Sequence, residues 1–316
     1  MNKFKAFVIV LILISFKGFA CLNGDTKVLK NGVQVYIDFR GLVPHGHNFF
    51  TKEFPELIIE LDKLYKKTND IDYLSDKGYL LIVQGKYQEA LKLYLDIEKI
   101  KPNRYSTASN LGTLYELMGE NEKAYQWIEK SIEINPKSHK GSEWLHLRIL
   151  EAKVKKIENV TGEFLINESF GKDAFPKTDL SKKELEKLAQ SIYYQVNERI
   201  SFIKPKDKII SVLLFELGNA VKIIGENENA TRIYNLAKEY GFQDELINRR
   251  LTSYFQGKVY NIKKENQEKN KGGIVNYLNQ IETIWIVLSI IGGILLIGLI
   301  VIYFQRKNLK KILKIR

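Results

Sequence analysis

The sequence predicts an all-α protein of stacked antiparallel helix pairs, with a short β-hairpin before them and one transmembrane helix after them. Three observations carry this. Small residues and prolines recur at an interval of 34 positions in the middle of the chain. Asn31-Gly32 lies between two short β-prone runs. Residues 284–304 are 21 consecutive positions without a formal charge.

Composition sets the frame for these elements. With 316 residues, 45% hydrophobic and 27% charged, the chain has ample surface to bury. Its net charge of +12 invites a nucleic-acid partner, but the charge sits at the ends. Residues 1–20 carry +3 and residues 305–316 carry +6, which leaves +3 for residues 21–283. No nucleic-acid partner is therefore expected.

Residues 1–20 have the pattern of an export signal. Lys3 and Lys5 precede an apolar run from Ala6 to Phe16, and Gly18-Phe19-Ala20 puts small residues at the cleavage positions. Eleven residues rise about 16 Å as a helix, too little for a bilayer core of roughly 30 Å. Lys17 departs from the usual pattern and keeps an uncleaved anchor open. Cys21, the only cysteine, falls where a bacterial lipoprotein carries its lipid, but Gly18 stands where leucine is usual. Lipidation and an incidental cysteine both stay open, and no intrachain disulfide can form.

Residues 21–50 form an N-terminal hairpin and loop segment. Thr26 to Lys30 and Val33 to Ile37 flank Asn31-Gly32, a type I′ hairpin signal. A helix from about Glu53 to Lys67 leads into a repeat domain over residues 51–262.

In that domain Gly78, Gly85, Ala90 and Pro102 recur 34 positions later as Gly112, Gly119, Ala124 and Pro136. The best copy reads Ala108-x2-Leu111-Gly112-x2-Tyr115, then Ala124-x3-Ile128 and Pro136. The copy before it has Leu74, Gly78, Leu81, Ala90 and Tyr94 at these places. A later copy has Leu214-x2-Leu217-Gly218-x2-Val221, then Ala230-x3-Tyr234. Glycine or alanine at a helix crossing lets two backbones approach, and proline ends a helix it cannot continue. On these residues, units 71–104, 105–138 and 211–244 resemble tetratricopeptide repeats, whose period is 34.

The resemblance implies an α-α superhelix that binds a protein or peptide partner in the groove lined by each unit's first helix. Its groove positions 2, 5, 9 and 12 fall on Asp72, Ser75, Tyr79 and Ile82, on Ser106, Ser109, Thr113 and Glu116, and on Val212, Phe215, Asn219 and Lys222. Some members clamp a partner's terminal carboxylate with lysine and asparagine. Asn110 fits one clamp position, but Ser75 and Tyr79 occupy two others, which puts that specificity in doubt.

Between the second and last units, residues 139–158 are expected as a helix of a degenerate unit and residues 159–180 as an irregular insertion. A helix from Ser181 to Phe202 ends before Lys204-Pro205. Residues 245–262 are expected to cap the domain, and residues 263–283 to link it to the membrane.

Residues 284–304 hold fifteen Ile, Leu, Val or Phe, worth roughly −4.5 to −9 kcal/mol of insertion free energy. Trp285 and Tyr303 suit the two interfaces. The tail 305–316 has six basic residues and no acids, so it is expected in the cytoplasm, with the repeats outside the inner membrane in the periplasm.

Chemistry is sparse. His45 and His47 have a spacing that could hold a metal, as do His139 and His146, seven apart on one expected helical face. Neither pair has a completing cysteine or carboxylate in a recognised pattern. No phosphate loop, nucleophile elbow or paired-carboxylate motif stands out. The expectation is a non-enzymatic envelope scaffold without a cofactor. A metal-dependent protein using His45 and His47 is one alternative; another is a signalling subunit with Ser289 and Gly293 as a helix contact.

Overall fold

The computed structural model describes residues 26–38 and 41–253, and the repeat period sets its architecture. The expected signal peptide, Cys21, the linker, the span 284–304 and the tail 305–316 lie outside the described residues. Among the described residues no helix is long and apolar enough to cross a membrane.

Strands β1 (Thr26–Val28) and β2 (Gln34–Ile37) pair antiparallel, with Thr26 opposite Ile37 and an irregularity after Lys27. The turn is not type I′, which needs a positive φ at both central residues. Only Gly32 has one, at +88°, while Gly32 N donates to Leu29 O and Leu29 N to Val33 O. This is the hydrogen bonding of a type I turn closed by a left-handed glycine, a three-residue loop that Asn-Gly serves equally well.

Eleven α-helices follow among the described residues. Helix α1 (Phe54–Thr68) starts with Pro55 in its first turn. The first unit is α2 (Ile71–Val83) with α3 (Tyr87–Ile100), and the second is α4 (Tyr105–Leu117) with α5 (Asn121–Ile134). Helix α6 (Glu143–Val154) packs on α5, and the short α7 (Gly162–Ile166) lies in the insertion. Helix α8 (Lys182–Phe202) packs on α6 and on α9 (Lys208–Ile224). The last unit is α9 with α10 (Asn227–Glu239), and α11 (Leu246–Thr252) follows it.

One device turns the chain inside all three units. Gly85 N donates to Ile82 O and Lys86 N to Leu81 O; Gly119 with Glu120, and Gly225 with Glu226, repeat both bonds. This is the Schellman closure, which puts the residue after the helix in the left-handed region, and the three glycines have φ of +73°, +80° and +102°.

Helix α6 is shorter than the expected 139–158. His139 and Lys140 have left-handed backbones before it, and Lys156, at φ +51°, closes it after Val154. The two histidines therefore do not share a helical face. Helix α8 starts where expected, with Ser181 and Glu184 in a reciprocal capping box. The buried apolar side chains fall into two clusters, one from the hairpin to α6, where Leu150 joins it, and one from the other face of α6 through α11.

Candidate functional site

Each unit is held shut at its helix crossing. A Cβ on Gly78 would come within 2.6 Å of the Tyr94 ring, and a Cβ on Gly218 equally close to Tyr234. Ile128 occupies the same place over Gly112. Ala90, Ala124 and Ala230 are fully buried on the second helices, with Leu111, Tyr115 and Leu217 in the same cores. Pro102 and Pro136 lie exposed just past α3 and α5. Tyr94 Oη donates to Ser75 O and accepts from Asn110 Nδ2, both at 2.8 Å, and Tyr234 Oη donates to Asn219 Oδ1 at 2.8 Å. Asn110 thus spends its amide on the seam between the first two units.

The expected groove faces of the first two units are covered by the chain itself. Ser75 and Tyr79 are fully buried, and Lys27 of β1 reaches over the Tyr79 ring at 5.2 Å. Burial pushes the Tyr79 hydroxyl well above its ordinary range. Ser109, Thr113 and Glu116 face a void of about 30 Å³ beneath His146, Gln195 and Arg199, room for a water or two. Glu116 accepts from Lys153 Nζ at 2.7 Å and Arg199 Nη2 at 3.1 Å, with His146 Nε2 at 2.7 Å. Burial alone would raise its carboxyl, but Arg199, Lys153 and His146 hold it well below the usual carboxylate range. Glu143 is held low in the same way by His139 and His146, against its own burial.

A strap over residues 43–50 closes this region. Asn197 Oδ1 accepts from His45 N at 3.0 Å and Gly46 N at 2.9 Å, and Ser201 Oγ accepts from His47 N at 2.8 Å. The His47 ring stacks on Tyr36 at 4.0 Å, with Nδ1 2.7 Å from Asp38 Oδ2 and Nε2 2.6 Å from Glu198 Oε1. Burial opposes the imidazolium, but the Glu198 and Asp38 carboxylates outweigh it and push the pKa up to about 10. A ring protonated on both nitrogens has no lone pair for a metal, and His45 Nδ1 lies 2.6 Å from Gly46 O. Among the described residues no group of three or more His, Cys, Asp or Glu is placed to hold a metal ion.

The last unit differs. Val212, Phe215 and Asn219 line an open trough of about 1010 Å³, walled by residues 159–172 on one side and 240–250 on the other. Lys222, the fourth expected position, instead donates to the carbonyls of Arg250 and Ser253. Phe215 stacks on Phe242 with centroids 4.2 Å apart, and the Arg250 guanidinium lies 5.1 Å from the Phe215 ring. Arg250 is 1% exposed and donates Nη2 to Phe170 O and Gly171 O. Glu216 Oε2 accepts from Asn219 Nδ2 at 2.8 Å. Burial pushes its pKa up to about 7, against that hydrogen bond and the nearby Arg250.

Glu143, Arg199, Glu216 and Arg250 are absent from the sequence expectation. Spacing along the chain carries no signal for partners such as Glu116 and Arg199, which lie 83 positions apart.

Paired helices, glycine crossings and a trough along a first helix define a helical-hairpin repeat protein. The sequence pattern of the tetratricopeptide repeat family matches residues 106–138, so the second unit is a tetratricopeptide repeat. The chain is similar to a solved structure described as MamA RS-1 ArsTM double mutant, at 15% identity over 64% of this chain and 88% of that one, with a TM-score of 0.32. It is also similar to the crystal structure of a tetratricopeptide repeat protein from Parabacteroides merdae ATCC 43184, at 16% identity over 63% and 98%, with a TM-score of 0.26. No curated protein matches it.

Proposed function

We propose that this chain is a membrane-tethered scaffold of the bacterial envelope that docks a protein partner in the trough of its last repeat. One observation carries the docking site. The first helix of the last unit forms the base of an open trough of about 1010 Å³, with Val212, Phe215 and Asn219 themselves nearly or fully buried, whereas the first helices of the first two units lie under the hairpin, the strap and α8. Tetratricopeptide repeats imply protein partners in general, which supports a scaffold role.

The tether and the envelope placement rest on the sequence. They are supported by the lysine-led apolar run near residue 10, the uncharged stretch 284–304 and the basic tail after it. Reporter fusions test this arrangement. Alkaline phosphatase joined after Ser253 should be active and after Arg316 inactive; activity only after Arg316 would overturn it.

Site-specific photo-crosslinking in cells tests the docking. A crosslinker at Lys206 or Arg249 should capture one partner, and a crosslinker at exposed Lys92 on α3 should not. Equal capture from both places, or none from the trough, contradicts the assignment.

A further inference from the structure

Glu216 is a buried carboxylate without a cation. It lies on α9 at the base of the trough, and among the described residues no basic nitrogen comes within 4.0 Å of it. Its Oε2 accepts one hydrogen bond, from Asn219 Nδ2 at 2.8 Å, and Asn219 Oδ1 in turn accepts from Tyr234 Oη. Its Oε1 packs against the backbone of Gly162 at the start of α7, where a Cβ would collide with it. Gly162 belongs to the wall 159–172, so this carboxylate sits where the wall meets the repeat. The buried carboxylates of the covered faces are different. Glu116 has Arg199, Lys153 and His146 beside it, Glu143 has His139 and His146, and Glu198 has His47.

A buried carboxylate with one amide donor has two ways to avoid an unpaired charge. It can keep its proton, or the groups covering it can part and admit water. The groups facing it are Asn219 on its own helix, Tyr234 from α10, Arg250 from α11, and Glu168 and the Gly162 backbone from the wall. Burial disfavours the charge most and Glu168 adds to it, while Asn219 and Arg250 oppose them, which leaves the pKa at about 7. Arg250 is engaged elsewhere. It donates Nη2 to Phe170 O and Gly171 O and Nε to Asp173 O, and so holds the same wall in place.

We propose that the wall from residue 159 to residue 173 is a gate on the trough, docked on α9 while Glu216 is protonated and released when Glu216 ionises. The new charge is met by water or by Arg250. Water opens the seam at Gly162, and Arg250 leaves the wall's carbonyls to reach it. The carboxyl titrates near 7 when docked and near its ordinary 4.5 when released, so docking binds the proton more tightly. Docking is strongest below about pH 4.5, weakens as the pH rises to about 7, and then levels off. The gate rests on the docking site proposed above for its consequence, but its motion is measurable without a partner.

Hydrogen–deuterium exchange of the purified full chain in detergent makes that measurement. After correction for the intrinsic pH dependence of exchange, opening over residues 162–173 should rise about fiftyfold from pH 5 to pH 8. Residues 72–79 should show no such rise, which separates the gate from global unfolding. Glu216→Gln, which cannot ionise, should keep 162–173 at its pH 5 protection throughout. Glu163→Gln removes an exposed carboxylate of the same wall and should leave the rise intact. A flat wild-type profile, a rise that persists in Glu216→Gln, or an equal rise over 72–79 overturns the proposal. If the wall moves as expected but trough crosslinkers capture nothing, the gate stands and the docking site falls. Capture of a partner with a flat profile does the reverse.

Discussion

Ser109 and Phe215 hold the same position in their repeats and both are nearly buried, yet Ser109 lies beneath α8 and Phe215 at the base of an open trough. The difference comes from what the chain places over each face. Over the first two units it lays the hairpin, the strap and the end of α8, and every charge brought there meets an opposite one. Glu198 and Arg199, neighbours on α8, illustrate this: Glu198 holds His47 of the strap, and Arg199 holds Glu116 of the second unit. Over the last unit the chain lays walls on either side, residues 159–172 and 240–250, and leaves a trough between them. A binding face in a repeat array is thus a matter of which inner faces the protein leaves uncovered.

Substitutions can break this contrast, and the largest effect belongs to the closed face. Arg199→Met leaves Glu116 buried with less compensation, and should cost about 3–5 kcal/mol in a urea titration. Arg250→Met in the trough removes bonds to carbonyls but no ion pair, and should cost less, about 1–3 kcal/mol.

His47→Gln should cost about 2–3 kcal/mol at pH 7 by the same titration. The histidine's folded pKa of about 10 lies above the unfolded value of 6.5, so its contribution is complete below pH 6.5 and is lost as the pH rises through 10. The wild-type melting temperature should fall between pH 7 and pH 10, and the variant should lack that part of the slope.

Glu216→Gln has a smaller effect of opposite sign. Its folded pKa of about 7 lies above the ordinary 4.5, so the folded state binds the proton more tightly and loses stability as the pH rises between them. Calorimetry should show the variant melting about 2–4 °C higher than wild type at pH 8, and the two coinciding near pH 4. The smallest effect should come from Lys206→Glu with Lys208→Glu, both exposed, which shifts stability by no more than about 0.5 kcal/mol in the same urea titration.

The sequence made the repeats legible because their rules are local. Gly85, Gly119 and Gly225 must take a left-handed backbone, and Gly78, Gly112 and Gly218 must admit a side chain from the facing helix. The hairpin was legible in place but not in turn type, since Asn31-Gly32 fits a two-residue or a three-residue loop. Helix α6 came out shorter because three non-glycine residues around it adopt left-handed backbones, which spacing does not announce. Least legible was which faces stay open. Positions 2, 5, 9 and 12 were assigned on the premise of a bare inner surface, and the strap and α8 reach theirs from distant parts of the chain. Arg250 was invisible for the same reason, because its partners are the carbonyls of residues 170–173.

Hydrogen–deuterium exchange on the full chain, alone and with its crosslinked partner, tests the central claim most directly. The account predicts that the partner slows exchange over residues 206–219 and 240–250 and leaves 72–79 and 106–116 unchanged. Protection over 106–116 with none over 206–219 would contradict it.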